Sequence, residues 1–77
     1  MRIRLVEMRQ GEKGKIVQIQ GGMNLKMRLE NLGLVIDKEI IKVSSQLFRG
    51  PVVIEVGNTQ VAIGFGMAQK IIVEVER

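Results

Sequence analysis

Apolar and polar residues alternate with a period of two in several short segments of this chain, and the period changes to that of a helix once. Residues 15–20 set Val17 and Ile19 against Gln18 and Gln20, the signature of a half-buried strand. Residues 39–43 read as a second strand, with Ile41 and Val43 on one face and Lys42 on the other. Val52, Ile54 and Val56 point inward and Glu55 outward in a third. Gly57-Asn58 is a two-residue link suited to a tight hairpin, so residues 59–63 return antiparallel. Residues 64–69 make a single turn, and residues 71–76 close the chain with Ile71, Val73 and Val75 inward.

The helical stretch is residues 24–32. Leu25, Leu29 and Leu32 recur at i, i+4 and i+7, which predicts one apolar face. Asn24 suits the N-cap, because its side-chain oxygen can accept from free N–H groups of the first turn. Gly33 suits the left-handed stop, with Leu29 and Leu34 as the apolar pair of a Schellman motif. A helix this short needs packing to hold it. Short strands joined by glycine-rich turns, with one helix between the first two, predict a mainly β fold. The expected architecture is a small SH3-like barrel of about five antiparallel strands with the helix across one open end. At 77 residues the chain reads as a single domain, 1–77.

Composition narrows the function more than the fold. The chain has no His and no Cys, which removes most ligands of zinc and copper and the usual nucleophilic triads. Ser44-Ser45 lacks a nucleophile-elbow context, and Gly64-Phe65-Gly66 lacks the third glycine and βαβ setting of a phosphate loop. No catalytic, cofactor or metal residues are expected, and the protein reads as a non-enzyme. The net charge of +4 invites a nucleic-acid reading. The cations are scattered among acids, however, and only Phe48 and Phe65 could act as stacking platforms. No specific nucleic acid is expected. Without a signal-like leader, a membrane-length apolar run or a disulfide framework, the expected location is the cytoplasm.

Large apolar residues outside the inward pattern are the candidate binding residues. Met27 lies opposite the leucine face, Met23 precedes the helix, and Phe48 sits in the loop before Gly50-Pro51. Methionine is flexible and polarizable, which suits adaptable contact surfaces. Met23, Met27, the neighbouring Arg28 and Phe48 are therefore the expected partner-binding residues.

The chain resembles the ferrous iron transport protein A (FeoA) family along almost its whole length. The resemblance is carried by Leu5, Gly11 and Gly14-x-Ile16, by Gly21-Gly22, and by Arg28-Leu29-x-x-Leu32-Gly33-Leu34. It continues through Val43, Gly50-Pro51-Val52-Val53 and Ala68-x-x-Ile71-x-Val73. The barrel is also similar to the C-terminal domain of diphtheria-toxin-repressor-type regulators, here in stand-alone form. Ile36-Asp37 occupies a turn where the family commonly has Pro-Gly, so a different turn is expected there. Gly64-Phe65-Gly66 stands where a basic residue is common. The resemblance implies a cytosolic accessory of bacterial ferrous iron uptake that contacts the membrane transporter, ferrous iron transporter B, which carries a GTP-binding domain. It also implies a family-level association with transition metals, and the basic surface is compatible with contact to anionic lipid headgroups close to the membrane. Small barrels associate through edge strands, so a homo-oligomer is compatible. The competing readings are an RNA- or ribosome-associated barrel and a metal-sensing module.

Overall fold

A computed structural model describes residues 1–44 and 49–77. Six strands form one antiparallel sheet: β1 (Arg2–Arg4), β2 (Lys13–Ile19), β3 (Glu39–Lys42), β4 (Val52–Val56), β5 (Thr59–Ile63) and β6 (Ile71–Glu74). Their order is β1-β6-β2-β3-β4-β5. Helix α1 (Met23–Asn31) joins β2 to β3, and the single turn α2 (Phe65–Ala68) joins β5 to β6. One apolar cluster takes at least one buried side chain from every strand, together with Leu29 and Leu34. The fold is thus mainly β, with one strand more than the pattern predicts. The extra strand, β1, is three residues long and pairs with β6 through Ile3 and Val73, too short to show a period.

The hairpin at Gly57-Asn58 pairs Val56 with Thr59 as expected. Val52, Ile54 and Val56 are buried, as are Ile71, Val73 and Val75. Two other strands depart from their predicted facing. In β2 the register shifts between Ile16 and Gln18, so Val17 is an extra residue opposite the Val73–Ile72 step. That bulge moves the inward positions to Ile16 and Ile19 and leaves Val17 half-buried. In β3 the inward residues are Ile40 and Lys42, while Ile41, and Val43 just past the strand, are half-buried. Lys42 is only 3% exposed. Its Nζ donates to Val6 O at 3.2 Å and Met8 O at 2.8 Å. An ammonium held by carbonyls can occupy an inward position that the alternation assigns to an apolar side chain. Burial lowers its pKa, and the charge of Glu12 opposes that shift.

The helix ends are equally specific. α1 begins one residue early, with Gly22 as N-cap and Asn24 inside the first turn, so Asn24 makes no cap. At the other end Gly33 takes φ +84°. Gly33 N donates to Glu30 O at 2.9 Å and Leu34 N to Leu29 O at 2.8 Å, the two bonds of a Schellman stop. Leu29 and Leu34 are fully buried. Leu32 is 43% exposed, contrary to the three-leucine face. It is the C-cap (φ −93°, ψ 3°), so the helical period ends before it and Leu34 fills the inner seat.

Candidate functional site

Three features set α1 against the sheet. Gly21, between β2 and α1, has φ +150°, and a Cβ there would lie 2.6 Å from Leu25 Cδ2. Only glycine lets the chain reverse so tightly that Leu25 folds back over the end of β2. Beside that reversal, Ile19 pairs with Ile71 and Gln20 N donates to Lys70 O at 2.7 Å. The start of α1 is thereby brought next to the end of α2. Leu29 is fully buried and Leu25 partly so, which turns the opposite side of α1 to solvent.

That outer side carries Met23, 72% exposed, and Met27, 55% exposed. They are one helical turn apart, and at roughly 100° per residue Met27 lies nearly opposite Leu29. Arg28 is exposed on a different flank, about 100° around the helix from Met27. It lines an open groove of ≈ 430 Å³ between α1 and α2, with Asn24 and Leu25 from α1 and Gly66, Met67 and Lys70 opposite. Met23 and Met27 are not among the lining residues. The structure therefore divides the expected site into a methionine face and a cationic groove that share one helix. Phe48, the remaining expected contact, lies outside the described residues.

Sequence reading missed the groove's far wall, because Gly66, Met67 and Lys70 come from a distant segment and meet α1 only through β2–β6 pairing. The visible half of the signal was Asn24 and Arg28 at i, i+4. Val35 and Ile36, in the turn after α1, are also exposed. In that turn Lys38 N donates to Val35 O at 3.1 Å and Asp37 takes φ +75°. Asp37 thus occupies the left-handed third position of a type II turn, the position that favours glycine.

Other surfaces are less suited to binding. A larger concavity of ≈ 850 Å³ lies between the β2 start and the C-terminal residues, but two of its charges, Glu12 and Arg77, are engaged with each other. Arg77 Nε pairs with Glu12 Oε2 at 2.8 Å, and Arg9 N donates to Glu12 Oε1 at 2.9 Å. The Arg77 guanidinium, chiefly, and the Arg9 N–H lower the Glu12 pKa to about 2. The Phe65 ring has the Arg49 guanidinium 5.9 Å from its centroid and is half-buried, so it is a poor platform for stacking a base. Among the described residues no group of three or more His, Cys, Asp or Glu could hold a metal ion. No helix among them is long and apolar enough to cross a membrane.

Known proteins match this arrangement closely. The FeoA domain model matches residues 3–75. A candidate Fe(2+) transport protein A of Methanocaldococcus jannaschii is 33% identical over 66 residues, covering 86% of this chain and 78% of that protein. The crystal structure of an iron uptake regulatory protein, FeoA, is 38% identical with a TM-score of 0.87, each chain covered to 96%. A manganese-dependent transcriptional repressor superposes with a TM-score of 0.88 at 20% identity, over 97% of this chain and 42% of the repressor. That last likeness shows the SH3-like fold. With the family model spanning nearly every residue from β1 to the end of the core, the chain belongs to the FeoA domain family of ferrous iron transport.

Proposed function

We propose that this protein is a non-enzymatic cytoplasmic accessory of ferrous iron uptake. It acts by protein contact with the cytoplasmic GTPase part of the membrane transporter, ferrous iron transporter B. The family supplies the iron system, and the observation that carries the contact is the outer face of α1. There Met23 and Met27 stand largely in solvent, one turn apart, on a helix whose other side is locked to the core. Apolar side chains in that setting gain free energy by burial in a partner and contribute little to the isolated fold. The ferrous ion is the cargo of such a system, and the transporter moves it. The accessory biases the transporter's conformation or nucleotide state through its differential affinity for the two states.

Titration of the protein against the isolated GTPase domain tests this reading. Binding is expected to be saturable and to be abolished by Met27→Glu, with the thermal midpoint nearly unchanged. Binding that survives Met27→Glu at full strength would refute the role of this face.

A further inference from the structure

The groove beside the methionine face has a chemistry of its own. Its floor is apolar, made by Leu25 and Met67, both half-buried. Its rim is cationic, with Arg28 on α1 and Lys70 just past α2, and Asn24 adds a neutral polar group. No acidic residue is among the described residues that line it, and among the described residues neither cation has an ion-pair partner. The ion-paired seam at the C terminus is the opposite case, since its concavity holds Glu12 and Arg77 bonded to each other.

We infer that the groove between α1 and α2 binds an acidic peptide segment of the partner. Its carboxylates meet Arg28 and Lys70, and an apolar side chain lies on Leu25 and Met67. This deepens the docking reading above and rests on it. An arginine offers paired donors to a carboxylate and a lysine offers a point charge. The apolar floor favours a peptide that presents both kinds of side chain over a purely anionic surface. Gly66 at the groove wall gives a direct probe, because a Cβ added there meets nothing within 4 Å. Glutamate is a better helix former than glycine, so Gly66→Glu sets a carboxylate beside the cations while the fold is kept.

The experiment uses a labelled peptide of mixed glutamate and leucine, followed by polarization at constant ionic strength. Its control replaces each glutamate with lysine, and phosphatidylglycerol vesicles form a separate arm. The expected result is saturable binding of the acidic peptide alone, weakened about tenfold or more by Gly66→Glu and by Arg28→Glu, and unchanged by Met27→Glu. Absence of saturable binding, indifference to Gly66→Glu, or equal binding of the lysine control would each overturn the inference. Vesicle binding with the same dependence on Gly66 would also overturn it, by assigning the groove to lipid. The same variants titrated against the GTPase domain separate the two proposals. Binding lost in Met27→Glu but intact in Gly66→Glu and Arg28→Glu sinks the groove and leaves the docking face standing. Peptide binding that depends on Gly66, with no binding of the domain, supports the groove and sinks the partner assignment.

Discussion

Replacing Lys42 by methionine tests whether the buried ammonium is a structural tie. The substitution keeps length and nearly keeps volume, so packing loss is small. What is removed is the donor to Met8 O at 2.8 Å, a buried contact, and the partly buried one to Val6 O at 3.2 Å. Stranding a buried carbonyl costs about 1–3 kcal/mol. Against that, the variant no longer has to desolvate a charge, a term that in some proteins outweighs the lost contacts. The main chain of Lys42 is held independently, through Gly11 N to its carbonyl at 2.7 Å and its own N–H to Glu12 O at 3.0 Å. The strand should therefore stay in place while the 3₁₀ turn at Leu5–Glu7 and Met8 lose an anchor. A net loss of about 2 kcal/mol is expected, which for a domain this small lowers the melting temperature by about 10 °C. Thermal unfolding followed by circular dichroism at neutral pH measures it. A Lys42→Met protein as stable as the wild type, or more so, would refute the tie and mean that desolvation of the ammonium is the larger effect.

Further substitutions probe the turns and the acid range. Asp37→Gly removes a side chain from a residue at φ +75°, and should raise stability by about 0.5–1 kcal/mol, read as a higher urea midpoint with unchanged slope. Gly21→Ala puts a Cβ against Leu25 at a φ of +150°; a loss of about 1–3 kcal/mol is expected, with faster amide exchange across α1 than in the sheet. Glu12, with its folded pKa lowered from 4.5 to about 2, binds fewer protons folded than unfolded between those values. It therefore stabilises the fold above pH 4.5 and loses that contribution as pH falls toward 2. Glu12→Gln should flatten the decline of melting temperature over that window, and an identical decline would rule out the Glu12–Arg77 pair as its source.

What the sequence revealed and what it hid follow from how local each interaction is. The Schellman stop was legible because Gly33, Leu29 and Leu34 lie within six residues, and the hairpin was legible in Gly57-Asn58 alone. The facing of β2 was hidden because a bulge at Val17 changes the phase midway. Alternation on either side of a bulge points to different faces, and nothing in residues 15–20 marks the shift. Lys42 was hidden for another reason. Its burial depends on carbonyls of Val6 and Met8, more than thirty residues away, and a lysine between two apolar residues reads as outward without them. The site divides along the same line. The exposure of Met27 followed from its angle to Leu29 on one helix, a local fact. The groove beside it required Lys70 to be delivered to Asn24 and Arg28 by the Ile19–Ile71 pairing, a tertiary fact. Because Gly21 permits the reversal that places α1 at that junction, one helix presents two chemically different faces to solvent. A partner carrying both an apolar patch and an acidic segment would engage more of α1 than either alone, and specificity would then reside in their spacing.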